Sequence, residues 1–209
     1  MSRWVRWAPL SGIVFAALII ASFAVSGSTP GVKATGQHVI SYYTDNRGSQ
    51  LASAFLGLYA IVFFLFFAAA LRGYLRRAEP ESGSLAAMSL GGAVLLAVGG
   101  AIFASVTIGL ADAPDKLGAD AAQALNVLNN DFFVPLIAGV CVFMIANGVA
   151  TIRWGVLPAW LGWIAILIAI VAVTPIGFFG FLATVIWIIV VSVLLLLRAR
   201  AESAPRSSA

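Results

Sequence analysis

Residues able to do chemistry gather in two polar stretches of an otherwise apolar chain, HVISYYTDNR at 38–47 and NVLNND at 126–131. In the first, His38, Tyr42 and Asp45 have the proton donors and acceptors of an acid–base group. A helix there would set His38 and Tyr42 one turn apart, with Tyr42 over Asn46 and Tyr43 over Arg47. In the second, the amides of Asn126, Asn129 and Asn130 precede Asp131, whose carboxylate could serve as acid or base, or could cap an apolar helix opening at Phe132. The candidate catalytic residues are therefore Asp131, Asp45, His38 and Tyr42. The candidate ligand-binding residues are Asn130 and Asn126, with Tyr59, Trp187 and Thr107 from the apolar runs. Together with Ser105 these last three could line an outward-facing pocket, although aromatic packing with satisfied polar tips is the simpler account. His38 and neighbouring Asp side chains could attract Ca²⁺ or Mg²⁺. No spacing matches an EF-hand or zinc motif, so neither a metal nor a cofactor is expected.

These groups must be positioned by helices in a membrane. The 209 residues are 62% hydrophobic and 10% charged, far below the ~25% charge of soluble domains. Apolar runs bounded by charge or by Pro and Gly predict six transmembrane helices at about residues 8–27, 51–71, 86–111, 132–152, 156–174 and 177–197. Thr174, Pro175, Ile176 and Gly177 separate the last two, and Pro158 suits the first turn of the fifth. With the N-terminus inside, Arg3, Arg6, Arg72, Arg76, Arg77, Arg153, Arg198, Arg200 and Arg206 are cytoplasmic. Only Lys33, Arg47 and Lys116 lie outside, a clear positive-inside bias. Trp4, Trp7, Trp154, Trp160 and Trp163 mark the inner interface, Tyr42 and Tyr43 the outer. A secretory signal at the N-terminus is the competing reading, but its apolar stretch is long for one.

The expected fold is all-α: a six-helix transmembrane domain, 1–197, in three out-and-back hairpins, with outer loops 28–50 and 112–131 and a disordered cytoplasmic tail, 198–209. In the second loop, ADAAQALNVLNND reads as a short amphipathic surface helix N-capped by Asp120. Ala121, Leu125 and Leu128 form its apolar stripe, and the three asparagines share another face. Pro135 either kinks a continuous helix, freeing the Asp131 carbonyl, or follows a break capped by Asn130 and Asp131. Ala93, Ala97, Ala101 and Ser105, with Gly92 and Gly99, read as a helix-packing face, and Asn147 as an interhelical hydrogen-bonding group. No span carries a charge away from its ends, which disfavours a proton-coupled pump. The single cysteine, Cys141, rules out an intramolecular disulfide.

The stretches ADAPDKLGADAAQALNVLNNDFFVP and GVLPAWLGW…VTPIGFFGFLATVIWIIVVSVLL resemble an actinobacterial family of six-helix integral membrane proteins, a domain of unknown function marked by LPxWLGW. The motif here is Leu157, Pro158, Trp160, Leu161, Gly162 and Trp163. The resemblance implies a bacterial plasma membrane and transfers no catalytic residue. Our leading expectation is a non-enzymatic protein binding a lipid, another hydrophobic small molecule or a partner membrane protein through its outer half. The alternatives are a membrane-embedded enzyme acting on a lipid or isoprenoid, and a small transporter or channel subunit. Membrane lipids are the expected surroundings, a homo-oligomer is compatible, and nucleic acid is not an expected partner, because the Arg clusters sit at helix ends rather than along one face.

Overall fold

Where no water competes for backbone groups, apolar segments satisfy their amides within helices. The computed structural model describes residues 8–80, 83–131 and 133–201, and among them the regular structure is entirely helical. In order, the α-helices are α1 (Leu10–Ser26), α2 (Gly36–Asp45), α3 (Arg47–Ala78), α4 (Ser84–Asp112), α5 (Ala119–Asp131), α6 (Phe133–Trp154), α7 (Ala159–Ala172) and α8 (Gly177–Ala201). A 3-10 turn, Pro114–Lys116, links α4 to α5. Four segments are long and apolar enough to cross a membrane: Arg47–Ala78, Ser84–Asp112, Ala119–Trp154 and Gly177–Ala199. The apolar helices α1 and α7 are shorter, at 17 and 14 residues. The expected positions Arg3, Trp4, Arg6, Trp7, Glu81, Phe132, Glu202 and Arg206 lie outside the described residues. Contrary to a tail disordered from residue 198, the last helix continues through Ala201.

Helix α3 packs between α1 and α4; α6 packs on α4 and α7; α8 closes against α7 and α1. Glycine brings α4 and α6 together. A Cβ at Gly92 would fall 2.9 Å from Phe143 Cα, and one at Gly139 would fall 2.6 Å from Leu96 Cα, both backbone atoms that cannot swing aside. The expected small-residue face thus holds for Gly92, Ala93, Ala97 and Gly99 but not for exposed Ser105, because the 3.6-residue helix rotates a strict four-residue repeat off the contact. Phe15, Phe64, Phe143 and Trp187 cross the core in sequence, with ring centroids 5.1, 5.5 and 6.1 Å apart. Asn147 joins α6 to α4 by donating to Ser89 Oγ at 2.9 Å, the interhelical bond anticipated for it.

At one end of the bundle α2 and α5 form a separate cap. Val39, Tyr43, Leu110, Ala111 and Ala122 make its small core. Gly36 lets α2 reach the start of α5, since a Cβ there would lie 2.8 Å from Ala119 Cα. The other end carries Arg72, Arg76, Arg77, Arg153 and Arg198. There Glu79 accepts from the Leu85 and Ala86 amides at 3.1 and 3.2 Å and from Ser84 Oγ at 3.3 Å. Burial works against this carboxylate, but the donors at the positive end of α4 outweigh it and hold the carboxyl below its usual range.

Candidate functional site

Beneath the cap lies a cavity of about 450 Å³, within the size range of small-molecule sites. Its apolar part is formed by Phe15, Ile19, Ile61, Leu96, Leu136 and Ile137 from α1, α3, α4 and α6. Its polar part brings Ser22 and Ser26 of α1 to Gln50 and Ser53 of α3, Thr107 of α4, and Asn129 and Asn130 of α5. Phe23 stands edge-on to Phe178 and Phe181 along the seam between α1 and α8, at 5.8 and 6.4 Å between centroids. Among the described residues no titratable side chain lines this space.

The polar part is built from helix ends. Gly27 terminates α1 with φ +62°, leaving carbonyls of the last turn without intrahelical partners. Gln50, only 1% exposed, donates through Nε2 to the Ser26 carbonyl at 2.8 Å and to Tyr42 Oη at 3.0 Å. Tyr42 also donates to the Ser26 carbonyl at 3.4 Å, and the Ser26 hydroxyl donates to Gln50 Oε1 at 3.3 Å. One turn deeper, the Ser22 hydroxyl donates to the Ser53 carbonyl at 2.9 Å.

From the other side, NVLNND places its amides inward. Asn126 and Asn130 donate to the carbonyls of Gly31 and Pro30, each at 3.0 Å. Asn129 accepts from Thr107 at 3.2 Å and donates weakly to Tyr43 Oη at 3.5 Å. Tyr43 is fully buried, and desolvation, aided by neighbouring Tyr42, pushes its phenol up to about 12. The asparagines do share one face, as their spacing requires, but that face is the buried one. Leu128 and Ala121 of the expected apolar stripe are exposed, and only Leu125 packs on the cap core. Gly118, not Asp120, supplies the carbonyl that opens α5; Asp120 lies in its first turn. The Asn130 nitrogen is held by the Pro30 and Asn126 carbonyls, which ties the end of α5 to the loop after α1.

The expected acid–base residues are not brought together. The 38–47 stretch is helical through Asp45, with Asn46 donating back to the Tyr42 carbonyl. His38, Asp45 and Asp131 are exposed, and no hydrogen bond joins any of them to Tyr42 among the described residues. The chain turns at Asn46, so Arg47 leaves Tyr43 and pairs with Asp112 at 3.1 Å. No three metal-ligating side chains of His, Cys, Asp or Glu cluster among the described residues. Tyr59 is 62% exposed on the outside of α3, and Ser105 is bonded to its own helix at Ala101. Trp187 is buried and donates to the Leu161 carbonyl at 3.1 Å, tying α8 to α7. Of the proposed ligand group, Thr107 and Asn130 line the cavity. Gln50, Ser22, Ser26 and Ser53 were missed. Their signal was faint: SxxxS near the end of α1 and QxxS opening α3, small polar residues at one-turn spacing that read as ordinary helix ends.

No family model, curated protein or solved structure matches this chain.

Proposed function

We propose that this chain is a bacterial plasma-membrane protein that holds a hydrophobic or amphipathic small molecule in the cavity beneath its outer cap, without chemical turnover. The observation that carries this reading is the combination of a large apolar volume with a polar but uncharged end. Acid–base catalysis needs a titratable group within hydrogen-bond reach of the reacting atoms, and among the described residues the lining offers none. The cap faces outward in this reading, since Arg72, Arg76, Arg77, Arg153 and Arg198 sit at the opposite end and obey the positive-inside rule there. Six spans in three hairpins follow if α1 and α7 also cross. At ~1.5 Å per residue they are short of a ~30 Å hydrocarbon core, and apolar flanks such as exposed Val173 and Ile176 extend the apolar surface.

Native mass spectrometry of the detergent-purified chain tests the binding reading. Gly57 lines the cavity, and a Cβ built there has only Ser22 Oγ near it, at 3.8 Å, so Gly57→Phe fills the space from within α3. The wild type is expected to retain an additional small-molecule mass that the folded Gly57→Phe variant lacks. A wild type with no additional mass, or equal retention by both, would refute the assignment. For orientation, Asp45→Cys and Gly73→Cys in a Cys141→Ala background are expected to react with an impermeant maleimide from outside and only after lysis, respectively. The reverse pattern would invert the topology.

A further inference from the structure

Resting on the binding reading above, the pattern of occupied and open hydrogen-bonding groups goes further and specifies the ligand's polar end. We infer that the cavity takes an uncharged amphiphile whose head bears hydroxyl groups, of the long-chain alcohol or monoacylglycerol type.

The donors at the polar end are mostly engaged within the protein. Both protons of Gln50 Nε2 have acceptors, one of them the Ser26 carbonyl, which fixes the nitrogen's orientation because a carbonyl can only accept. The Asn130 nitrogen likewise faces two carbonyls, Pro30 at 3.0 Å and Asn126 at 2.8 Å. The hydroxyls of Ser22, Ser26 and Thr107 donate to Ser53, Gln50 and either Phe103 or Asn129. What is left over is chiefly acceptor capacity, beside two open donors, the Thr29 hydroxyl and one Asn129 Nδ2 proton. Asn130 Oδ1 has no partner among the described residues, Gln50 Oε1 accepts only the long bond from Ser26, and each serine oxygen retains lone pairs.

An occupant that brings its own O–H donors completes this set. An ester brings only acceptors: it can accept from Thr29 or Asn129 but leaves the protein's oxygens unpaired, whereas a hydroxyl head both donates and accepts. A carboxylate or phosphate fares worse, for among the described residues no cation lines the cavity to offset the buried charge. The apolar part accommodates the chain, and the Phe23, Phe178 and Phe181 seam borders it.

Three photoreactive amphiphiles of equal chain length separate the possibilities: a monoacylglycerol, the corresponding fatty acid and its methyl ester. Each is offered to the full chain in phosphatidylcholine nanodiscs, and labelled peptides are mapped. The monoacylglycerol is expected to label peptides containing Ile61 or Leu136 about ten-fold more than the acid or ester, competed by unlabelled monoacylglycerol. Labelling by acid or ester at a comparable level would overturn the hydroxyl assignment while leaving the binding reading intact. Failure of all three to label those peptides would overturn both. Asn130→Leu and Asn130→Ser both lose the tie to Pro30, but only Ser keeps an uncharged acceptor. Capture should fall several-fold in Asn130→Leu and survive in Asn130→Ser, each checked for monodispersity. Equal loss in both would assign Asn130 to holding the loop and refute its role toward the ligand.

Discussion

Adjacent glycines on α4 provide a demanding test of how the cavity wall is held. Gly91 is exposed, and a Cβ added there meets nothing within 4 Å. Gly92 faces α6, and its Cβ would stand 2.9 Å from both Phe143 Cα and the Val142 carbonyl carbon, about half an ångström inside ordinary contact, with the Phe143 nitrogen closer still. Replacing either with Ala brings the same gain in helix preference, about 0.5–1 kcal/mol. The gain stands alone at Gly91. At Gly92 it is opposed by overpacking against backbone, about 1–3 kcal/mol, because α6 must move bodily rather than rotate a side chain away. The propensity terms cancel between the two variants, so their difference isolates the helix contact. For a chain of this size each kcal/mol moves the melting midpoint by ~2–4 °C, so Gly92→Ala should melt several degrees below Gly91→Ala. The apparent midpoint can be read by gel filtration of the detergent-solubilised protein after heating. If Gly92→Ala melts at or above Gly91→Ala, close backbone packing does not hold α4 to α6, and the reasoning about Gly139 fails with it.

Other outcomes follow from polar groups. Asn126→Ala removes the tie to Gly31 and an unpartnered buried Oδ1 together, so global stability should change by no more than about 1 kcal/mol while amide exchange across residues 27–35 accelerates; unchanged exchange would deny the tie. Ser89→Ala strands an Asn147 proton, whereas the double variant Ser89→Ala/Asn147→Leu removes the whole pair together with the unpartnered Oδ1 and should melt above the single variant; thermal midpoints in the opposite order would contradict this. Glu79 has a lowered carboxyl pKa in the folded chain, so its contribution is full above the ordinary value of 4.5 and is lost as pH falls through the lower folded value. The stability gap between wild type and Glu79→Gln should therefore narrow below about pH 4, and a gap that widens on acidification would reverse the sign.

Much of the helical layout is legible in the sequence, because long apolar runs, Arg at their ends and the Pro175 turn each act locally. The helix at ADAAQALNVLNND and the asparagine face within it are legible for the same reason. What that face meets is not. Asn126 and Asn130 bond to Gly31 and Pro30, 95 and 100 residues earlier, and no local pattern announces such a pair. An apolar stripe at the same spacing invited the opposite expectation, that Ala121, Leu125 and Leu128 were the contact side. In a chain whose exterior is itself apolar, exposed Leu128 and buried amides are compatible, since polarity no longer distinguishes inside from outside. The candidate site suffered similarly. Charged and ionisable residues drew attention to His38, Asp45 and Asp131, whereas the cavity is lined by neutral groups whose importance comes only from convergence of α1, α3, α4 and α5.

The long reach of the asparagine ties also gives the molecule an order of assembly. The loop at Pro30 and Gly31 is made first, and its partners leave the ribosome only after another 95 to 100 residues. At ~5–20 residues per second, that interval is about 5–20 seconds. For most of it the polar end has Ser22, Ser26, Gln50 and Ser53 already made but lacks Asn129 and Asn130, so the chamber is roofless while the chain is still growing. In the binding reading proposed above, an amphiphile is thus enclosed as the closing helix arrives, rather than having to thread into a finished protein.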